Sequence, residues 1–230
     1  MTRLYSYILR IDDGAAPNPF WGLCTLICKP AIRRTARIGD WLIGTGSKNS
    51  KLNDGNTYDL SDSIVYAMRI SDIRTLSEYD SFCNKKIKDK MPKWFAKDWR
   101  KRMGDCIYDY SKGTDPTMRK GVHNEKNKMK DISGQHALIS NHFYYFGEEA
   151  RVIPTELKGI IKKNQGHLKI ENPELVDKFM KWIKKFKKNK IYADPQLRYV
   201  FDLTPTADQI IKCSTDHLKD DRNEKEEIVG

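Results

Sequence analysis

Apolar positions along the chain come in short bursts, and their spacing changes as the chain proceeds. Leu4-Tyr5-Ser6-Tyr7-Ile8-Leu9-Arg10-Ile11 is rich in aromatic and β-branched residues, the composition of a strand. The turn signal Asp12-Asp13-Gly14 ends it. An aromatic knob, Phe20-Trp21, follows on the prolines Pro17 and Pro19. The short apolar run at 23–27 stops at Pro30, because the residue before a proline is pushed out of the helical region. Arg33, Arg34 and Arg37 lead to a Gly39-Asp40 turn, and residues 41–44 and 63–70 read as two further strands. The loop between them is polar, with Gly and Asn, and long enough to be functional. "SDIRTLSEYDSF" opens on a Ser-Asp cap and can carry a helical turn.

Beyond residue 84 the pattern is lost. Residues 84–132 are basic with little periodicity, and read as an insertion holding a short helix at 94–102 and otherwise loop. Strand composition returns at 143–146, with Gly147 as its end. Residues 173–190, "PELVDKFMKWIKKFKKNK", carry the clearest helical stripe. Leu175, Phe179, Trp182, Ile183 and Phe186 recur at three- and four-residue steps, Asn172 serves as N-cap and Pro173 takes the first helical position. The acidic, polar stretch 213–230 reads as a frayed tail. Short strands, a basic irregular middle and late helices predict one α+β domain over 1–212, built on a small curved or closed sheet.

Charge changes that picture. Among 230 residues, 42 Lys and Arg face 31 Asp and Glu, a formal net charge of +11. A basic surface draws polyanions, and phosphate neutralisation dominates non-specific nucleic-acid affinity. The five cysteines are odd in number and scattered, no apolar leader follows Met1, and no run of eighteen apolar residues occurs. The expectation is a cytoplasmic protein with reduced, structural thiols and no membrane contact.

Candidate chemistry narrows by elimination. "GTGSK" at 44–48 echoes a phosphate loop, but that motif needs its Gly-Lys-Ser/Thr to open a helix, and 49–55 is turn-like. Cys24 and Cys28, with His123, His136 and His142 downstream, give one ligand pair where structural zinc sites show two, and both cysteines sit in an apolar run. No metal or cofactor is therefore expected. Asp40, His142 and Glu148 are conceivable catalytic groups without a supporting motif. What remains is a pocket for a flat ring, since stacking an extruded base on aromatics is how proteins inspect its edge. Phe20, Trp21 and Trp41 supply walls, and Asn18, Thr45, Gly46, Ser47 and Asn141 supply the rim and polar readers. Arg33, Arg34, Arg37, Lys48, Lys181, Lys184 and Lys185 would meet phosphates.

"YSYILRIDDGAAPNPFWGLCTLICKPAIRRTARIGDWLIGTGSK", "IVYAMRISDI", "NHFYYFG" and Ile153-Pro154 together resemble the nucleotide modification associated domain 2 family of bacteria and phages. That resemblance implies a DNA-modification or phage-defence context. The order strand, basic segment, "IGDWLIGTGS", loop, "SIVYAMRISDI" is also similar to the PUA-like folds (EVE, YTH and ASCH domains), small β-barrels holding a modified base. By that similarity Gly39-Asp40 is the structural turn and residues 45–47 the pocket rim. Unlike the EVE pattern, the chain has no Tyr-His-Ser after the strand and carries the basic insertion in addition. The expected function is binding of a modified nucleobase in DNA or as a nucleotide. The rivals are a base- or nucleotide-modifying enzyme and a module docking an acidic partner.

Overall fold

The computed structural model describes residues 2–198 and 226–230. In chain order the first strands are β1 (Leu4–Ile8), β2 (Cys24–Leu26), β3 (Trp41–Thr45), β4 (Ser50–Lys51), β5 (Thr57–Tyr58), β6 (Ser63–Arg69) and β7 (Asp72–Thr75). They continue as β8 (Tyr108–Asp109), β9 (Thr117–Met118), β10 (His136–Ser140), β11 (Phe143–Tyr145) and β12 (Arg151–Val152). The last are β13 (His167–Ile170), β14 (Lys190–Ile191) and β15 (Glu226–Val229). The helices are α1 (Pro30–Thr35), α2 (Leu76–Lys86), α3 (Trp99–Arg102), α4 (Glu125–Ser133) and α5 (Pro173–Ile183).

The fold is a mixed one around an eight-stranded sheet of order β14-β11-β6-β3-β1-β13-β15, with β12 also on β6. Successive side chains of a strand point to opposite faces, and here both faces are apolar. Tyr5, Tyr7, Leu42, Met68, Phe143 and Tyr145 go to one layer with Cys24, Leu26, Ile32 and Leu138. Leu4, Trp41, Ile43, Ile64, Ala67 and Tyr144 go to the other, where Val176, Phe179 and Ile183 of α5 cover them. β1 and β3 are parallel neighbours, so the chain must cross over between them, and β2 with α1 forms that crossover. The register slips between Gly44 and Thr45, leaving Val65 as a bulge opposite. Gly44 is needed there, since a Cβ would come within 2.5 Å of the Tyr66 ring.

A second sheet, β2-β10-β7, packs on the first face and is backed by α2. The Ser71-Asp72 pair expected to cap α2 instead stands where β7 begins; Thr75 is the N-cap, in a capping box with Glu78. Asn172 caps α5 as expected, its Oδ1 accepting from Leu175 N–H at 2.9 Å. α5 stops at Ile183 rather than running to 190, because Phe186 turns in against Phe146, 4.9 Å between ring centroids, and Lys190–Ile191 joins the sheet.

Three expectations need correction. The sheet is open and no closed barrel is present: among the described residues no pairing joins the edge strands β14 and β15. A barrel needs one face turned inward, whereas both faces here bury side chains against separate layers. The basic middle is largely loop as expected, but its short helix is Trp99–Arg102 rather than 94–102, and it also holds α4 and the β8–β9 hairpin. Cys106, Ile107 and Tyr108 enter a core with α2, and Trp94, Met103 and Val122 pack around Ala15. The end of the acidic tail is not frayed, since Glu226–Val229 pairs in parallel with β13. Residues 213–225 lie outside the described residues, as do 199–212 at the end of the expected domain.

Asp12, just past β1, is fully buried and accepts from Tyr145 O–H at 2.5 Å and Gln196 N–H at 3.3 Å. Burial pushes its carboxyl up to about 7 from 3.8. Between about pH 4 and 7 the folded chain therefore holds a proton that the unfolded chain has released. Stability should fall through that window, by up to about 1.4 kcal/mol per pH unit from this group, and level off above it. Urea unfolding of the parent and Asp12→Asn at pH 5 and pH 8 checks this. The variant should have the shallower pH dependence, and equal dependence would clear Asp12 of the role.

Candidate functional site

The aromatic knob is held from below by a buried polar network. Lys90 Nζ, 1% exposed as a residue, lies 2.7–2.9 Å from Asn18 O, Asn18 Oδ1, Leu23 O and Thr25 Oγ1. Thr25 and Tyr79 hydroxyls both donate to buried Asp105. Burial lowers the Lys90 pKa and raises that of Asp105. Asn18 also donates to Met103 O at 2.8 Å, so its side chain is committed to protein partners. Phe20 is buried edge-on to Trp99, with 5.5 Å between centroids. Trp21 is half-buried at φ 64, an uncommon left-handed conformation for a bulky residue. Arg100 and Lys101 lie 5.5 and 5.8 Å from its ring centroid, and Arg198 lies 5.4 Å from that of Trp99.

The other expected base-binding residues are dispersed. Trp41 is 1% exposed, wedged against Phe179 at 5.4 Å and His142 at 5.2 Å. Thr45 is buried and donates to Tyr7 O. Asn141 is exposed between β10 and β11. Of the expected phosphate contacts, Arg33 is buried and donates to Ile27 O and His136 O, with its guanidinium against Gly134. Arg34, exposed, donates to Ser133 O, and Arg37 is exposed. Lys181 pairs with Asp177 in α5, and Lys184 and Lys185 are exposed just beyond it.

The groups weighed for catalysis are committed as well. Asp40 accepts from Arg3 Nη2 at 2.6 Å and from Arg37 N–H at 2.8 Å. His142 contacts Tyr144 O–H at 3.2 Å, and burial lowers its pKa, favouring the neutral ring. Glu148 accepts from Asn53 at 2.9 Å. Cys24 and Cys28 are core residues, and burial pushes the Cys24 thiol up to about 12.

Gly46, Ser47 and Lys48 do come together, on a cavity of about 1150 Å³ past the carboxyl ends of β1 and β3. Six cationic side chains line it, Arg10, Lys29, Lys48, Lys158, Lys162 and Lys163, against the carboxylates of Asp62 and Glu227. Lys158 pairs with Asp62 at 2.7 Å, and Lys162 pairs with Glu227. Among the described residues no aromatic side chain lines the cavity. Lys29 is 7% exposed, sits at φ 59, and places Nζ 5.1 Å from the Tyr7 ring centroid.

A family model described as nucleotide modification associated domain 2 matches residues 1–202. The chain belongs to that family. No curated protein matches it, and no solved structure does. Membership sets a nucleotide-modification-associated context for the chain, and all of the cavity's described lining except Glu227 and Val229 falls within the matched residues.

Sequence reasoning missed most of this family member's cavity. Lys158, Lys162 and Lys163 stand in "ELKGIIKKNQGHLKI", a lysine-rich loop closed by Gly166 just before a strand, and that arrangement was the available signal. Lys90 had none, being one lysine among many in "KKIKDKMPK". Lys90→Met should lower unfolding stability by about 3 kcal/mol, since it strips a buried charge from several acceptors. Denaturant melts check this, and a loss under about 1 kcal/mol would mean that the network carries little.

Proposed function

We propose that this domain binds a nucleotide or nucleic acid by its phosphates, at the basic cavity beyond β1 and β3. One observation carries the reading: among the described residues six cationic side chains line one cavity and two carboxylates oppose them. A phosphate chain is the ligand such a charge ratio fits in a family tied to nucleotide modification. The opening suits anion capture without a phosphate loop, because Gly46 and Ser47 form its rim and Lys48 supplies a point charge. The described lining offers charge and no ring, which favours a reader of phosphate over a reader of a base.

Base contact falls instead to Trp21, the half-buried ring of the Phe20–Trp99 cluster. DNA carrying a modified base, in a bacterial or phage modification or defence setting, is the favoured ligand. Binding is preferred over catalysis because Asp40, His142 and Glu148 all lie off the cavity lining.

A salt-titrated binding assay with matched single- and double-stranded oligonucleotides, with and without modified bases, tests the reading. Lys48→Ala and Lys163→Ala, both at exposed positions, should each weaken binding and make the log–log salt slope shallower by about 1. A slope unchanged from the parent in both variants would put the phosphates elsewhere. If Trp21 stacks a base, Trp21→Ala should cost about 1–3 kcal/mol and remove any modified-base preference that survives high salt. Affinity insensitive to nucleic-acid sequence, salt and Trp21 alike would turn the reading toward an acidic protein partner.

A further inference from the structure

We propose that β15 fills an anion subsite on this cavity, so that the strand and a phosphate ligand exclude one another. The inference rests on the phosphate-binding reading above. Three cation-capable side chains on this side of the molecule are more than nine-tenths buried: Lys29 at 7% exposure, Lys162 at 5% and His167 at 2%. Lys29 and Lys162 line the cavity, and His167 opens β13 directly after the lining residue Gly166. For two of them β15 supplies the carboxylate. Glu227 pairs with Lys162 Nζ, and Glu226 Oε2 lies 3.1 Å from His167 Nε2. A buried ammonium needs a counter-charge, so with β15 in place Lys162 depends on Glu227, while burial lowers the His167 pKa and leaves that ring a hydrogen-bond partner for Glu226.

The hold on β15 is slight compared with the groups it covers. It adds to the sheet edge through four residue pairs, in parallel with β13. Ile228 is 58% exposed, Glu227 likewise stands largely in solvent, and Val229 alone packs against the core. An edge strand burying so little apolar surface belongs to the low-stability end of a fold. The strand also lies outside residues 1–202, while Lys29, Lys162 and His167 lie within them. The matched residues thus supply the lysines Lys29 and Lys162 and the His167 ring, and a segment beyond them supplies the carboxylates. A phosphate group, with more acceptor oxygens and up to twice a carboxylate's charge, can replace either glutamate.

The test compares the parent chain with Glu226→Gln/Glu227→Gln and with a chain lacking residues 226–230. Asp115→Asn/Glu125→Gln, on exposed positions away from the cavity, controls for net charge. The probes are inorganic pyrophosphate and a short single-stranded oligonucleotide. The glutamine variant should bind both about three- to tenfold more tightly than the parent, and the truncated chain at least as tightly. The control should stay within about twofold of the parent. Saturating pyrophosphate should also speed hydrogen exchange at the amides of 226–229 in the parent chain. Equal affinities across all four proteins, with exchange at 226–229 unmoved by bound ligand, would overturn the inference and leave phosphate binding standing. A control that gains as much as the glutamine variant would overturn it too, by assigning the gain to net charge. No binding by any of the four would overturn the phosphate-binding reading, and this one with it.

Discussion

Burial of both faces of the large sheet is the constraint on which everything else depends. Strand side chains alternate between two apolar layers, so neither face has room for a ligand or a channel. Polar chemistry is confined to strand ends and loops. The parallel pair β1–β3 sets where one such end falls, since both strands finish on the same side and release Arg10 and Lys48 into one space. The bulge at Gly44/Thr45 shifts the β3–β6 pairing one step before the rim at Gly46. Gly46 itself could not carry a side chain, because a Cβ there would come within 2.5 Å of Leu60.

A different device holds the middle of the chain. Where the large sheet is cemented by aliphatic and aromatic rings, the region around 90–131 uses buried polar anchors. Lys90 gathers the carbonyls of the aromatic-knob loop, and Asp131 accepts from both Tyr108 O–H at 2.6 Å and His123. Such anchors are directional, and they fix the loop in which Trp21 adopts its left-handed backbone. The structure thereby keeps an awkward aromatic half-exposed without a strand or long helix to carry it.

Legibility in the sequence followed the same division. β1, β3, β6, β11 and the Asn172-capped start of α5 could be read because apolar periodicity and capping chemistry are local signals. The openness of the sheet could not, as closure depends on which strands meet at the edges, and β14 and β15 are only two and four residues long, too short for a period to show. Of the rim expected at 45–47, Gly46 and Ser47 line the cavity beside Lys48 while Thr45 is buried, and the rings assigned to that rim are not its neighbours: Trp41 faces α5, and Phe20 packs on Trp99. Arg33 reads as a surface cation by type, yet it is buried under Gly134, a fact set by a residue a hundred positions away. The polar anchors had no pattern to betray them, because one hydrogen-bonded lysine leaves no periodicity.

The buried thiols carry a consequence of another kind. Cys24, Cys28, Cys83 and Cys106 are all enclosed, and Cys24, on β2 in the crossover between β1 and β3, has its ionisation suppressed to about 12. Only the thiolate attacks an alkylating reagent, so the closed molecule presents Cys24 in its inert form as well as out of reach. Its modification rate is then a clock on how often β2 parts from β10, and it reads the breathing of the layer that fixes the β1–β3 crossover.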